Sequence, residues 1–367
     1  MHFFSSRDKF PAQKGDAPLP CSAEWFMKQS RPVYFFGAGR YGWIAAFNMD
    51  IYCPQAGIKG FLDSNPSRVR YQNLPVYDPE YPKRNNENPI IIVTAQYGYR
   101  TETEIIRLCQ KFGYEYYTFR QFILPLSAQP WTREELEGNA DAVRALDVWA
   151  DVKSADIYRN LLKVRVTQNE NDMPEMEHNQ YFVPLIPKKM YRSFVDCGAY
   201  NGDLIDTYRK FMHHDFDNYY AVEADQRVLD QLRFNCGNDP RISIHPSPLS
   251  DSRKMVAFND DDCVCGFIAN DGVSKIQAET IDNLFSNKPV TMIKMDIEGS
   301  EIPALDGARK TISEQHPALV ISMYHSAGTD MWRVPLWIHD LGEGYSLYCR
   351  HHSPALNETI CYAFVEK

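Results

Sequence analysis

A short acidic and glycine-containing run in the second half of the sequence has residue types suited to holding a nucleotide-like ligand. An apolar segment, Ser193 to Val195, leads into Asp196, and a turn with Gly198 and Gly202 follows. A helical spacing of apolar residues begins directly after the turn, at Leu204. Glycine allows a tight turn and a close approach of the backbone to a ligand, as in the nucleotide sites of doubly wound α/β sheets. The run therefore predicts a ligand site at the carboxyl end of a strand.

The turn has the spacing D-x-G-x-x-x-G, which differs from the dinucleotide pattern G-x-G-x-x-G and is similar to the first motif of S-adenosylmethionine (SAM) methyltransferases. SAM carries an amino-acid tail, a ribose and an adenine, and each needs its own partner. Asp196 suits the ammonium group of the tail, directly or through water. Glu223 follows the next predicted strand, where a carboxylate can accept hydrogen bonds from both ribose hydroxyls. Ser247 follows the third strand, near the expected adenine. The predicted cofactor-binding residues are Asp196, Gly198, Ala199, Tyr200, Asn201, Gly202, Glu223, Ala224 and Ser247.

A second polar run, Lys294 to Glu301, ends the fourth predicted strand and is rich in carboxylates. Asp296 and Glu298 share one side of the segment if it stays extended, because alternate residues of a strand face the same way. His325 follows the fifth strand, and an imidazole that titrates near neutral pH suits a general base. We therefore predict His325, Asp296 and Glu298 as the catalytic residues that orient an acceptor hydroxyl and remove its proton. The alternative for His325 is a structural histidine.

The acidic residues also have structural interpretations. Asp196 can cap the helix that follows it, and Glu223 can be a solvated charge at a strand end. Glu298 and Glu301 can stabilise the N-terminus of the following helix through its dipole. A further alternative is that Asp296 and Glu298, with a third oxygen ligand, hold Mg²⁺.

The C-terminal half resembles the FkbM-type methyltransferase family over residues 175–367. The resemblance is carried by Phe194 to Asp203, Ala221 to Asp225, Thr280 to Leu284, Ile293 to Glu301 and the pair Tyr324-His325. It implies a Rossmann-like SAM-binding fold, O-methylation, and acceptors that are often sugars or polyketide-type natural products.

Motif by motif, the resemblance implies roles for six residues. They are the SAM-site residues Asp196, Gly198, Gly202 and Glu223 and the active-site carboxylates Asp296 and Glu298. Met295 replaces the usual small aliphatic residue, which a hydrophobic core tolerates. Ser247 stands where many SAM enzymes carry an acid, so the adenine contact stays open.

The first part of the chain contains a glycine run of its own. Gly37, Gly39 and Gly42 form a G-x-G-x-x-G pattern after a strand, and Asp63 ends the next predicted strand, where a Rossmann fold contacts a ribose. This unit resembles the nucleotide-binding domains that accompany sugar-modifying enzymes, which predicts a second site for a nucleotide or nucleotide-sugar. The alternative is a unit without a ligand that serves docking or dimerisation.

The strand and helix patterns together predict an α/β fold with two Rossmann-like units. We expect an N-terminal extension at 1–30, a nucleotide-binding-type domain at 31–125, a helical linker at 126–180 and a SAM-dependent methyltransferase domain at 181–367. The sheet of the last domain should be mostly parallel, with an antiparallel strand at its C-terminal end. Thr132 and Glu135 predict a capping box at the start of the linker.

Composition excludes several classes of protein. The net charge is −9 and no basic block is present, which argues against a nucleic-acid partner. No segment approaches the roughly 18 apolar residues of a membrane span. The nine cysteines contain no C-x-x-C pair, and the single C-x-C, Cys263 with Cys265, has too few ligands for zinc. We expect reduced thiols in a cytoplasmic protein, and a homo-oligomer is compatible with the sequence.

These observations predict a SAM-dependent O-methyltransferase that modifies a hydroxyl of a saccharide, a glycan precursor or a related natural product in polysaccharide biosynthesis. Its partner would be a small-molecule or glycan acceptor. Two other functions stay open at this point. One is a nucleotide-sugar- or NAD-dependent enzyme whose first unit is catalytic, and the other is a non-catalytic scaffold for polysaccharide assembly.

Overall fold

The structure is a computed structural model, and it contains two α/β units. The structure describes residues 3–4, 20–54, 56–64, 70–71, 73–95, 100–127, 131–259, 267–268 and 274–366. Cys263 and Cys265 lie outside these ranges, and the seven cysteines within them are free and buried. None of the helices in the described ranges has both the length and the apolarity that crossing a membrane requires.

The first unit is built on a six-stranded sheet with the order β3-β4-β2-β1-β5-β6. Its strands are β1 Val33–Phe36, β2 Ile58–Leu62, β3 Arg70–Tyr71, β4 Leu74–Tyr77, β5 Ile90–Val93 and β6 Glu115–Tyr117. The neighbours are parallel except for β3, which is antiparallel to β4. The central strands β1 and β5 consist of apolar or aromatic residues that are all buried, as expected where helices cover both faces of a parallel sheet.

The second unit is built on a seven-stranded sheet with the order β15-β16-β14-β13-β7-β8-β9. Its strands are β7 Ser193–Cys197, β8 Asn218–Val222, β9 Ile242–His245, β13 Met292–Met295, β14 Ala318–Ser322, β15 Ser346–His351 and β16 Thr359–Phe364. Only β16 runs against its two neighbours, so the predicted mostly parallel sheet and its antiparallel C-terminal hairpin are confirmed. The strand β7 continues two residues past the predicted end and includes Asp196.

A small antiparallel sheet, which the sequence did not predict, is inserted between β9 and β13. It has the order β11-β10-β12 and consists of β10 Lys254–Asn259, β11 Phe267–Ile268 and β12 Ser274–Ala278. The sequence gives no clear strand signal for this sheet, because polar residues such as Lys254 and Lys275 lie among the apolar ones and β11 has only two residues. Phe258 is buried even though its neighbours in the strand include exposed residues.

Helices fill most of the connections between the strands. They are α1 Ala23–Met27, α2 Arg40–Tyr52, α3 Tyr81–Arg84, α4 Arg100–Phe112, α5 Phe119–Ser127, α6 Arg133–Glu137, α7 Ala140–Arg144, α8 Val152–Thr167, α9 Asp203–Met212, α10 Leu229–Cys236, α11 Ile281–Leu284, α12 Glu301–Asp306, α13 Arg309–Gln315 and α14 Asp330–Asp340. The helix α6 begins with the predicted capping box, in which Thr132 and Glu135 each bind the backbone of the other.

The helices between the two units pack against the larger sheet. Leu136 of α6 and Leu161 of α8 belong to the same buried cluster as Ile293 of β13 and Leu347 of β15. Ser154 of α8 accepts a hydrogen bond from the backbone N–H of Cys349 at 2.9 Å. The linker helices therefore form a layer of the second unit. This packing holds α8 in a fixed position against the sheet.

Candidate active site

The turn after β7 brings the two polar runs of the sequence together. Gly198 has φ +78°, a backbone conformation that L side chains rarely adopt. A Cβ at Gly198 would lie 2.0 Å from the carbonyl oxygen of Asp296. Only glycine fits this approach, and it places the turn after β7 directly against the end of β13.

Asp196 and Lys294 form a buried ion pair at the base of this turn. They are paired residues of the adjacent strands β7 and β13, and the Lys294 Nζ lies 3.0 Å from the Asp196 Oδ1. The Tyr219 hydroxyl donates a second bond to Asp196, and Lys294 also donates to the carbonyl oxygen of Gly198 at 2.9 Å. Burial lowers the pKa of Lys294, but Asp196 and Asp296 more than offset this and raise it. The carboxylate of Asp196 is therefore neutralised within the protein.

A cavity of about 560 Å³ lies at the carboxyl edge of the larger sheet. Seven of the nine predicted cofactor residues line it, namely Asp196, Gly198, Ala199, Tyr200, Glu223, Ala224 and Ser247. Asn201 and Gly202 lie behind this lining. The carbonyl oxygen of Asn201 accepts a bond from Asn235 at 2.8 Å, and a Cβ at Gly202 would lie 3.0 Å from Leu232. These two residues shape the turn from the side of α10.

Glu223 is held in a fixed orientation at the tip of β8. Its carboxylate accepts the backbone N–H of Tyr200 at 2.7 Å and that of Asp225 at 2.8 Å. Burial raises the pKa of Glu223. A carboxylate locked in this way, with acceptor capacity left over, is suited to two hydroxyl donors on one ligand.

Asp296 lies between two tyrosine hydroxyls where β13 ends. Tyr181 donates to its Oδ2 at 2.9 Å, and Tyr324 donates to its Oδ1 at 3.0 Å. Burial raises the pKa of Asp296, but the cations of Lys294 and His325 outweigh burial and lower it. Tyr181 escaped the sequence analysis because it follows a polar loop, and nothing in its neighbourhood along the chain signals the contact.

His325 lies among three carboxylates just beyond β14. Its Nδ1 is 2.9 Å from the Glu301 Oε1, and its Nε2 is 3.4 Å from Glu298 and 3.7 Å from Asp296. Burial lowers the pKa of His325, but Glu301 and the other two carboxylates raise it to about 9. The imidazole is therefore a cation at neutral pH in the unliganded protein.

Glu301 lies at the N-terminus of a helix and also binds the imidazole of His325. It is the first residue of α12, and its Oε1 accepts the backbone N–H of Ile297 at 2.9 Å as well as the bond from His325. Glu298, which lines the cavity, has φ +54°, a strained conformation for a residue with a side chain. One oxygen or nitrogen from each of Asp296, Glu301 and His325 lies within 4.8 Å of the others.

The small sheet contributes Phe258 and Ile268 to the cavity wall. This apolar cover is a part of the site that the sequence analysis missed.

The glycine run of the first unit has the geometry of its pattern. Gly37 has φ +122°, and a Cβ at Gly42 would lie 2.3 Å from the carbonyl oxygen of Gly37. A Cβ at Gly39 would meet nothing within 4 Å, so the backbone there is open. Asp63 accepts the N–H of Ala38 at 3.0 Å, which ties the strand end to the turn.

Comparison with known proteins agrees with this architecture. Residues 196–346 match the profile of the methyltransferase FkbM domain. The crystal structure of methyltransferase FkbM from Methylobacillus flagellatus KT is similar over 92% of this chain and 90% of that chain, with a TM-score of 0.66 and 22% identity. An rRNA methylase from Streptococcus thermophilus covers 49% of this chain and 94% of its own, with 13% identity and a TM-score of 0.30, which is too low to bear on the fold.

A search of curated proteins finds no match. The fold and the matched domain together extend over the strands, the glycine turn and the carboxylates described above. The chain therefore carries a methyltransferase FkbM domain at residues 196–346, and it is a methyltransferase.

Proposed function

We propose that the protein transfers a methyl group from SAM to a hydroxyl of a saccharide, a glycan precursor or a related natural product. The observation that carries this proposal is a single cavity lined both by Glu223 and by Asp296 and Glu298. One part suits a ribose and another suits a hydroxyl that must lose its proton. We place this activity in the cytoplasm, within polysaccharide biosynthesis.

The residues of the first polar run fit the donor. The open backbone from Gly198 to Tyr200 allows a close approach of its amino-acid tail, and Glu223 accepts its ribose hydroxyls. Asp196 acts on this site through Lys294, which fixes the carbonyl oxygen of Gly198. When bound, SAM supplies an electrophilic methyl group on its sulfonium. Ser247 lines the cavity, and its buried hydroxyl has no hydrogen-bond partner among the described residues, which supports a contact with the adenine.

The residues around Asp296 fit the acceptor. Methyl transfer to an alcohol is a displacement in which the hydroxyl oxygen bonds to the methyl carbon as the carbon–sulfur bond breaks. The bonding pair stays on sulfur, which leaves S-adenosylhomocysteine, and the oxygen releases its proton. His325 takes this proton at Nε2, which makes no hydrogen bond within the described part of the chain. It must first lose its own proton to do so. Asp296 and Glu298 orient the hydroxyl, and Glu301 holds the imidazole through Nδ1.

The cluster of Asp296, Glu301 and His325 raises the question of a divalent cation. We propose that this cluster holds a proton instead, because the Glu301 Oε1 already binds the His325 Nδ1 and the three carboxylates favour the imidazolium. An Mg²⁺ site on Asp296 and Glu298 would compete with that cation. Loss of methyl transfer in the presence of a chelator, restored by Mg²⁺, would replace this assignment with a metal-assisted one.

For the first unit we propose a nucleotide or nucleotide-sugar site at Gly37, Gly39, Gly42 and Asp63. The open backbone at Gly39 supports it, since the second glycine of this pattern is where a pyrophosphate approaches. Asp63 accepts the N–H of Ala38 at the strand end where this fold contacts a ribose, which supports its place in the proposed site.

The function is tested with purified protein, SAM and a panel of free sugars, sugar phosphates and nucleotide-sugars. We expect S-adenosylhomocysteine to form only when an acceptor is present, with a methyl ether on that acceptor by mass spectrometry. The His325→Gln variant should retain SAM binding and lose most of the turnover. Methylation of a nitrogen or a carboxylate, or unaltered turnover in His325→Gln, would refute the proposal.

A further inference from the structure

Arg165 is a buried cation that none of the described residues neutralises. It lies near the end of α8, is 4% exposed, and its Nε makes no hydrogen bond with any described residue. Within the described part of the chain, no carboxylate lies within ion-pair distance of it. Its guanidinium packs over the ring of Trp131, 5.2 Å from the centroid, and against Gly328. Burial lowers the pKa of Arg165 to about 10, and no acidic group in the described part of the chain offsets this.

Buried charges are normally paired, because an uncompensated ion away from water costs several kcal/mol. A guanidinium kept in this state at the wall of a cavity is suited to an anion that arrives with a ligand. Arg165 lines such a cavity, a cleft of about 1040 Å³ between the two α/β units.

The first unit contributes an aromatic and basic face to this cleft. Arg40, Trp43 and Phe47 of α2 line it. The rings of Trp43 and Phe47 are stacked, with centroids 5.4 Å apart and an interplanar angle of 11°, and Trp43 is 37% exposed. An exposed flat ring of this kind offers a platform for the apolar face of a sugar ring, and Arg40 adds a second cation beside it.

The cleft continues into the donor cavity. His178, Gln180 and Glu358 line both of them. Tyr324 also lines the cleft, and its hydroxyl donates to Asp296 at 3.0 Å. A molecule in the cleft can therefore extend toward Asp296 through the part that the two cavities share.

The acidic groups of the cleft do not cancel its cations. Glu177 is paired with Lys153 at 2.7 Å and with Arg350 at 3.1 Å. Burial raises the pKa of Glu358 to about 7, and Asp296 adds to the effect, so this carboxyl is only partly ionised near neutral pH. The cationic groups Arg165 and Arg40 therefore set the character of the cleft.

We propose that this cleft binds the acceptor, and that the acceptor is a saccharide with an anionic group, a carboxylate or a phosphate. The anion lies on Arg165 and Arg40, and a sugar ring stacks on Trp43. The inference rests on the proposed function, because it takes the bound saccharide to be the methyl acceptor. Binding to the cleft does not need the donor.

The test measures binding of D-glucuronate, D-glucose 1-phosphate and neutral D-glucose to the full chain by calorimetry, without SAM. We expect at least one of the two anionic sugars to bind more tightly than glucose, and the preferred one to identify the anion as carboxylate or phosphate. Arg165→Met should weaken that binding by about tenfold to a hundredfold, the usual effect of losing a charged hydrogen bond. Its melting temperature should stay equal or rise, because an uncompensated charge has been removed.

Arg40→Gln and Trp43→Ala change exposed or half-exposed residues and remain informative if Arg165→Met does not fold. Both should weaken binding of the anionic sugar, whereas Arg107→Gln, on the surface of α4, should not. SAM affinity, measured in parallel, should be the same in all four variants. Two results would overturn the proposal. One is that neither anionic sugar binds, and the other is that Arg165→Met and Arg40→Gln bind the anionic sugar as tightly as the wild type does. Failure of SAM to bind would instead overturn the proposed function and leave the result for the cleft standing.

Discussion

His325 shows how a residue type predicted for catalysis can arrive in an unexpected charge state. The sequence places it after a strand, which predicts a histidine that titrates near neutral pH. The fold surrounds it with Asp296, Glu298 and Glu301, and their combined charge raises its pKa to about 9. A base in this position works only in the fraction of molecules that has lost the proton, so activity should depend on pH.

The Glu301→Gln variant tests this dependence. The amide oxygen of glutamine can still accept from Ile297 and His325, but the negative charge that raises the pKa of His325 is gone. The rate of methyl transfer should rise with pH as His325 deprotonates, and this rise should move to lower pH in the variant by about one unit. The measurement is kcat/KM against pH, with Glu314→Gln on the surface as a control. An unchanged profile, or one displaced to higher pH, would remove His325 from the proton transfer.

Other residues of the site could not be predicted from the chain. Lys294 is flanked by apolar residues, so the sequence pattern suggests a break in a buried strand. Only the pairing of the two strands shows that Lys294 neutralises Asp196. Tyr181 reaches Asp296 from a segment that has no regular structure. In contrast, Glu223 and Gly198 could be predicted, because a strand end and a positive φ impose specific residue types at those positions.

At the scale of elements, β7 and β13 are joined by more than their backbone ladder. Asp196 and Lys294 face each other across the two strands, and Lys294 also holds the turn at Gly198. Strand β7 extends to Cys197 rather than stopping before Asp196, because this pairing lets a charged residue remain inside the sheet. A sequence pattern that treats a charged residue as a strand terminator therefore ends β7 too early.

Lys294→Met should destabilise the protein by about 3–5 kcal/mol, since it leaves Asp196 as an unpaired buried charge. The double variant Asp196→Asn with Lys294→Met should recover a large part of that loss, because it removes both charges. Urea unfolding provides the free energies, and Lys310→Met, at an exposed position, provides the matched control. A single Lys294→Met variant as stable as the wild type would show that the pair does not stabilise the sheet.

The two large sheets could be predicted better than the small antiparallel sheet. Strands made almost entirely of apolar residues, such as β5 and β14, stand out in the sequence. The sheet of β10, β11 and β12 has no such signal, because polar residues such as Lys254, Lys275 and Gln277 interrupt the apolar pattern of its strands. It nevertheless supplies Phe258 to the wall of the donor cavity.

At the scale of the whole molecule, the arrangement of two α/β units also occurs in a second protein. The similarity to methyltransferase FkbM from Methylobacillus flagellatus KT covers 92% of this chain, so it includes the first unit. The cleft between the units brings Arg40 and Arg165 to the same cavity although α2 and α8 are far apart in the sequence. A pattern along the chain cannot reveal a surface that only the packing of two units creates.

The account as a whole depends on a SAM site organised by Glu223. Calorimetric titration of SAM into the wild-type protein and the Glu223→Gln variant tests it most directly, with Glu314→Gln as the control. Glutamine would turn an N–H₂ group toward one of the backbone donors of Tyr200 and Asp225, so the side chain could not hold its place. We predict one SAM per chain in the wild type and in the control, and an affinity weakened by about tenfold to a hundredfold in Glu223→Gln. Equal affinity in Glu223→Gln and the wild type, or no binding of SAM to the wild type, would contradict the account.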